Sequence, residues 1–120
     1  MKYLCLIYGS EAAAKNMTPE DGMTMMKDYR AFTDAIIASG HYVGGNPLQP
    51  VNTATSVRVR DGKTLTTDGP FAETHEQLGG YYLVEAAHLD EALGIAARIP
   101  GARSGTIEVR PIMLMPGHVG

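Results

Sequence analysis

The chain has 120 residues, 44% of them hydrophobic and 19% charged, values that exclude a disordered chain and fit one folded domain. Its formal net charge of −3 supplies no basic surface, so we expect no direct contact with nucleic acid or membrane. The one cysteine, Cys5, excludes an internal disulfide and a cysteine-based zinc site, and the absence of signal-peptide features indicates a cytoplasmic protein.

The first part of the chain predicts a strand followed by a long helix. Tyr3 to Tyr8 is nearly continuous in apolar residues, as in a buried strand. Thr18 is suited to cap a helix, and apolar side chains follow at helical spacing as far as the stop at Ser39-Gly40. His41 to Val43 predicts a short extended piece, which we expect Gly44 to Pro47 to interrupt.

The middle of the chain predicts a β-hairpin. Ala54 to Arg60 alternates between apolar and polar residues, and Lys63 to Thr67 is the returning strand. Asp61-Gly62 between them is a strong turn signal. A strict two-residue turn would pair Arg60 with Lys63, two like charges, so we expect an added bulge.

The last part of the chain predicts a strand over Gly79 to Ala86 and a helix over Leu89 to Ile99 that Pro100-Gly101 ends. A final alternating strand covers Thr106 to Ile112, and Met113 to Gly120 is a loose tail. The order of elements predicts an α+β fold. We expect a ferredoxin-like split βαβ plait with an added hairpin and both helices on one face of the sheet.

Two helices are too few to cover both faces of such a sheet, which leaves apolar surface in need of a partner. The residues that we expect on this surface are Tyr3, Tyr81, Tyr82 or the Met113–Met115 segment of the tail. The economical arrangement is a homodimer joined through the sheet. We therefore expect one domain over residues 1–112 that dimerises, followed by a tail over residues 113–120.

Four stretches of the sequence are together recognisable: MKYLCLIYG, GGNPLQP, TSVRVRDGKTLTTDGPFAETHEQLGGYYLVE and AARIPGARSGTIEVRPI. They resemble the DGPF branch of the YCII-related family, from Met1 to about Ile112. The resemblance implies a dimeric α+β barrel built from two ferredoxin-like protomers. The resemblance does not indicate an activity. It does imply an association with extracytoplasmic-function sigma factors.

The wider family has a proposed histidine–aspartate pair and a distant likeness to lactone-processing enzymes. By this resemblance, the family histidine corresponds to about Tyr29 and the family Asp-Pro to Ile99-Pro100. Both members of the pair are therefore missing from this chain, and the resemblance does not carry their chemistry over.

The polar segment around Asp-Gly-Pro-Phe is the best candidate site. Asp68 is suited either to an Asx turn that fixes a corner or to a role as acid or base at the mouth of a barrel. Glu73 and His75 fit either a proton relay or a solvated loop. The spacing of His41 and His75 matches no familiar metal-ligand motif, so we expect neither a metal nor a cofactor.

Tyr29 is either a core residue or, if its hydroxyl reaches Asp68, a donor to a ligand oxygen. In the second interpretation, a cleft lined by Tyr29, Asp68, Phe71 and Tyr81 binds a small organic molecule, and any reaction is a proton transfer on a lactone-like or carbonyl compound. Two alternatives stay open. The protein is an interaction module that contacts a sigma factor, or the Asp-Gly-Pro-Phe corner is purely architectural.

Overall fold

A four-stranded antiparallel sheet with two long helices on one face forms the body of the protein. The computed structural model describes residues 1–117. The strands are β1 (Lys2–Gly9), β2 (Tyr42–Pro47), β3 (Thr55–Arg60), β4 (Lys63–Asp68), β5 (Gln77–Glu85) and β6 (Thr106–Pro111). The helices are α1 (Glu11–Ala14), α2 (Pro19–Ala38) and α3 (Leu89–Ala97), with 3₁₀ turns at Val51–Thr53 and Pro100–Arg103. The sheet has the strand order β2-β5-β1-β6, and β3 and β4 form a separate two-stranded hairpin. The predicted α+β ferredoxin-like plait with an added hairpin is confirmed.

The long helix α2 begins and ends at the residues that its sequence signals predict. The Thr18 hydroxyl accepts a hydrogen bond from the Asp21 backbone N–H at 3.1 Å, and the Asp21 carboxylate accepts one from the Thr18 N–H at 3.4 Å. This reciprocal pair satisfies two N–H groups that the first turn would otherwise leave open. Gly40 follows the helix with a φ of 81°, the left-handed conformation that ends many helices.

The helix α3 begins at a histidine cap. The His88 side chain accepts a hydrogen bond from the Glu91 backbone N–H at 3.2 Å and satisfies one of the donors of the first turn. His118 lies outside the described residues.

The core lies between α2, α3 and one face of the sheet. Cys5 is fully buried there, and burial raises the pKa of its thiol to about 11. The thiol is therefore protonated and unreactive in the folded protein, as expected for a core cysteine. The buried hydrophobic residues are Tyr3, Cys5, Phe32, Ile36, Tyr82, Val84, Ala86, Ala92, Ile95, Ala96 and Ile99.

The predicted bulge in the β3–β4 hairpin is wrong. Arg60 pairs directly with Lys63 in an unbroken register. The two turn residues, Asp61 and Gly62, both have positive φ, 51° and 73°, as in the two-residue turn whose twist matches that of paired strands. Both charged side chains are exposed, and water and salt screen their repulsion.

The predicted interruption of the second strand is also wrong, because β2 continues through Gly44 and Gly45 to Pro47. A Cβ atom at Gly45 would lie 2.8 Å from Tyr82 Cδ1 and 2.9 Å from the Tyr81 carbonyl oxygen. Glycine therefore permits a close approach of β2 to β5 here, and its turn tendency is overridden by sheet pairing.

The protein is a thin slab with extents of 48 × 46 × 18 Å. Its accessible surface is 8635 Å², whereas a compact 12.8 kDa monomer would have roughly 6,300 Å². The hairpin accounts for part of this surface, since Val57, Val59 and Leu65 are all about half exposed or more. Over residues 1–117, none of the helices combines the length and the apolar character needed to cross a membrane.

Candidate functional site

A cavity of about 750 Å³ lies between α2 and the end of the sheet where β1 finishes and β5 begins. Its walls come from β1, α1, α2, β2, β5 and the 3₁₀ turn Pro100–Arg103. The apolar part of the lining includes Ile7, Met25 and Tyr42. A cavity of this size with a few polar groups on apolar walls is the usual form of a small-molecule site.

Tyr29 places a phenol hydroxyl in this cavity. Its oxygen accepts a hydrogen bond from the Gly101 backbone N–H at 3.1 Å. A Cβ atom at position 101 would lie 2.6 Å from that oxygen, so the contact requires glycine. Burial raises the pKa of Tyr29, and the Gly101 hydrogen bond and the charge of Arg103 offset this only in part. The phenol is therefore neutral near pH 7, and its own proton has no acceptor among residues 1–117.

Two further hydroxyls, those of Tyr82 and Thr33, line the cavity as a hydrogen-bonded pair. The Tyr82 and Thr33 oxygens are 2.6 Å apart, so one hydroxyl donates to the other. Edge contacts with Phe32 and Tyr42, at ring-centroid distances of 5.1 and 6.4 Å, hold the Tyr82 ring. Burial also raises the pKa of Tyr82, and this phenol too stays protonated at neutral pH.

The charged part of the lining is acidic. The Glu11 carboxylate accepts a hydrogen bond from the Val51 N–H at 3.0 Å, and the Glu11 N–H donates to the Gln77 side chain at 2.9 Å. These bonds fix α1 to the start of β5 and to the 3₁₀ turn Val51–Thr53. Asp21, which caps α2, is the other charged residue in the lining, and the lining contains no Lys, Arg or His.

Of the six residues predicted for the site, Tyr29 and Tyr81 line the cavity. Tyr81 pairs with Leu6 and not with the buried Cys5, so its side chain lies on the sheet face away from the helices. There the Tyr81 hydroxyl accepts a hydrogen bond from the Asn46 amide at 2.8 Å.

The other four predicted residues, Asp68, Phe71, Glu73 and His75, are exposed and lie outside the lining of the cavity. They occupy the end of β4 and the loop before β5. Within one protomer, Asp68 therefore does not join Tyr29 in a common site.

The Asp-Gly-Pro-Phe corner is held by groups other than the Asp68 carboxylate. The Gly69 N–H donates to the Ala54 carbonyl at 2.7 Å, and the Ser56 hydroxyl donates to the Gly69 carbonyl at 2.8 Å. Within the described part of the chain, the Asp68 side chain makes no hydrogen bond, so the predicted Asx turn is not formed. Gly69 has a φ of 100°, which explains why glycine follows Asp68.

The family model of the YCII-related domain matches residues 1–116. The chain belongs to the YCII-related family. A relative from Rhizobium meliloti (strain 1021), an uncharacterised protein, is 37% identical to this YCII-related chain over 122 residues, which cover 99% of the chain and 98% of the relative. Membership agrees with the observed fold and assigns no activity.

In this YCII-related protein, the hydrogen bond from the Gly101 N–H to the Tyr29 hydroxyl at 3.1 Å joins α2 to the 3₁₀ turn Pro100–Arg103 at the wall of the cavity. Among residues 1–117, no group of three His, Cys, Asp or Glu side chains is placed to hold a metal ion.

Three residues of the cavity lining were not predicted as site residues from the sequence: Gly101, Thr33 and Glu11. Pro100-Gly101 signalled the end of a helix, and this signal gave no indication that the glycine meets Tyr29, 72 positions earlier. Thr33 lies four residues after Tyr29 on α2, so helical spacing places both residues on the same face of the helix. This spacing was the one signal that could have identified Thr33. Glu11 had no local signal, because its partners Val51 and Gln77 are distant in sequence.

Proposed function

We propose that this YCII-related protein binds a small organic molecule in the cavity beside Tyr29. The observation that carries the proposal is a neutral tyrosine hydroxyl with an unused proton on the wall of a cavity of about 750 Å³. Such a hydroxyl binds a carbonyl oxygen and polarises it. If the protein transforms its ligand, the reaction class is proton transfer on a carbonyl compound, with Tyr29 as the acid and Glu11 as the carboxylate in the same lining.

We further propose that the binding unit is a homodimer joined through the uncovered face of the sheet. Leu4, Leu6 and Leu83 point to that face by strand alternation, because Leu4 and Leu6 flank the buried Cys5 on β1 and Leu83, the partner of Leu4, directly precedes the buried Val84 on β5. A specific interface on this face would need to bury about 1,200–2,000 Å² in total over the two protomers.

The Asp-Gly-Pro-Phe loop enters this proposal as a contributor in the dimer. Asp68, Phe71, Glu73 and His75 are absent from the cavity lining of their own protomer, and Phe71 is 82% exposed. Any contact of these residues with a ligand, including a role of Asp68 as acid or base, therefore depends on the assembled dimer.

A second candidate function is an interaction module that contacts a sigma factor. It is favoured by a stripe on the outer surface of α2, where Met23 and Met26 are 60% and 71% exposed beside Lys27 and Arg30. Exposed methionines of this kind are adaptable contacts for a protein partner. Co-purification with a sigma factor encoded nearby, lost in Met26→Asp, supports this function, and absence of the sigma factor from the purified complex contradicts it.

The small-molecule function is tested by a thermal-shift screen of lactones, carboxylic acids and aromatic ketones. The screen uses the wild type, Tyr29→Phe and Asp68→Asn. A ligand at a hundred times its dissociation constant stabilises the protein by about 2.7 kcal/mol, an easily measured shift. If Tyr29→Phe abolishes the thermal shift, the result supports the cavity as the site. If Asp68→Asn, tested separately, also abolishes the shift, the result supports the contribution of the loop. No shift with any compound contradicts the proposal.

A further inference from the structure

Besides the side-chain amides of Asn46 and Gln77, the cavity lining contains hydroxyls and carboxylates, and these two groups have different chemical preferences. Tyr29 and one member of the Tyr82–Thr33 pair can each donate a proton to a ligand, because Tyr29 accepts from the Gly101 N–H and one hydroxyl of the pair accepts from the other. The carboxylates of Glu11 and Asp21 offer negative charge, and the lining has no cationic side chain to balance a further negative charge. The nearby Arg103 is engaged by the Asp28 carboxylate at 2.8 Å and by the Pro100 carbonyl at 3.2 Å.

From this distribution we infer that the ligand is an uncharged, largely apolar molecule whose carbonyl or similar oxygen accepts a hydrogen bond from Tyr29, and that Glu11 selects against carboxylates. The inference rests on the proposed function and adds the class of ligand to it. In this inference, Tyr29 attracts the carbonyl oxygen of the ligand and Glu11 repels carboxylate ligands.

A carboxylate ligand is disfavoured for two reasons. Its charge would lose water on entering apolar walls, and no Lys, Arg or His in the lining would replace that water. Glu11 would add repulsion in a region where the effective dielectric constant is below that of water.

A cationic ligand is disfavoured for a different reason. An ammonium group has only donors, and Tyr29 and one member of the Tyr82–Thr33 pair present a hydroxyl proton to it. The acids that would attract it are already satisfied in part, Glu11 by the Val51 N–H and Asp21 by the Thr18 N–H.

The inference is tested by calorimetric titration with four naphthalenes of nearly equal size. The probes are 2-acetylnaphthalene, 2-naphthoate, 2-ethylnaphthalene and 2-naphthylmethylammonium. We expect the ketone to bind at least about tenfold more tightly than the carboxylate and the ammonium. It should also bind about fivefold more tightly than the hydrocarbon, which lacks the acceptor oxygen.

Variants assign these preferences to residues. Tyr29→Phe should remove the preference for the ketone over the hydrocarbon, whereas Tyr3→Phe, which removes a phenol hydroxyl outside the lining, should keep it. Glu11→Gln should raise the affinity for 2-naphthoate about fivefold, because the glutamine oxygen still accepts from Val51 without the charge. Asp34→Asn removes an exposed acid of α2 outside the lining and should leave that affinity unchanged.

The outcomes separate the inference from the proposed function. If 2-naphthoate or the ammonium compound binds as tightly as the ketone, or Glu11→Gln leaves 2-naphthoate unchanged, the ligand class is wrong while the cavity remains a binding site. If none of the four probes binds the wild type at millimolar concentration, the proposed small-molecule site is itself contradicted.

Discussion

The hydroxyl oxygen of Tyr29 and the backbone nitrogen of Gly101 lie 3.1 Å apart, and this hydrogen bond joins α2 to the turn between α3 and β6. It fixes the phenol ring against the cavity and fills the acceptor role of its oxygen. The remaining polar function of Tyr29 is donation. One backbone contact thus decides what kind of group the side chain offers to a ligand.

Gly101→Ala should displace this hydroxyl, because the new Cβ atom would lie 2.6 Å from it and 3.1 Å from Ile7 Cγ2. We expect a loss of about 1–3 kcal/mol in the free energy of unfolding, from crowding and a lost hydrogen bond. We also expect ligands found in the thermal-shift screen to bind more weakly. Urea denaturation and titration of such a ligand measure the two effects.

Gly94→Ala is the matched control for this substitution. Gly94 lies within α3, and a Cβ atom there would meet nothing within 4 Å. Alanine should stabilise the helix by about 0.5–1 kcal/mol and leave ligand binding unchanged. Equal effects of the two substitutions would show that the Tyr29–Gly101 contact has no special role.

Ser56→Ala should destabilise the Asp-Gly-Pro-Phe corner more than Asp68→Asn does. The Ser56 hydroxyl bonds to the Gly69 carbonyl at 2.8 Å, whereas Asp68 is exposed and makes no side-chain hydrogen bond within residues 1–117. We expect a loss of about 1 kcal/mol for Ser56→Ala and a change within about 0.5 kcal/mol for Asp68→Asn, measured by urea denaturation. The reverse order would restore the Asx turn as the support of the corner.

Leu6→Lys should convert the proposed dimer to a monomer. Leu6 lies on the uncovered face of the sheet, where a lysine would replace an apolar side chain with a charge that the interface would have to bury. Sedimentation equilibrium of the wild type should give about twice the 12.8 kDa chain mass, and that of the variant should give the chain mass. Ile37→Lys, at a 54% exposed position of α2, is the control and should stay dimeric. A monomeric wild type at micromolar concentration would refute the assembly.

Glu91→Gln should lower the melting temperature at neutral pH and have little effect in acid. The Ala87 N–H donates to the Glu91 carboxylate at 3.0 Å and lowers its pKa, with His41 at 3.2 Å adding to the shift. A carboxylate whose pKa is lowered by folding stabilises the protein above its ordinary pKa, and this contribution is lost as the pH falls through the lowered value.

The difference in melting temperature between wild type and Glu91→Gln should therefore shrink from pH 7 to about pH 3. Asp34→Asn removes an exposed carboxylate elsewhere and serves as the control. A difference that is constant from pH 7 to pH 3 would assign the effect of Glu91→Gln to packing and not to charge.

Local patterns predicted nearly all of the secondary structure. The Thr18 cap, the Ser39-Gly40 stop and the alternation in β3 and β6 each depend on residues a few positions apart, so the sequence exposes them. The two wrong predictions of secondary structure, the interruption of β2 and the bulge in the β3–β4 hairpin, have the same origin. Pairing with β5 carries β2 through Gly44 and Gly45, and solvent screening allows Arg60 opposite Lys63, and neither effect is visible in local propensity.

The sequence by itself determined the order of strands and helices, hence the α+β plait, and it identified Tyr29 and Tyr81 as candidate residues. Only the tertiary structure decided that Tyr29 faces a cavity lined also by Gly101 and Glu11, while Asp68 lies on a hairpin outside the main sheet. The physical reason is distance along the chain. Helices, turns and strand faces follow from neighbouring residues, whereas a cavity is formed by side chains that meet only after the sheet has paired and the helices have packed on it.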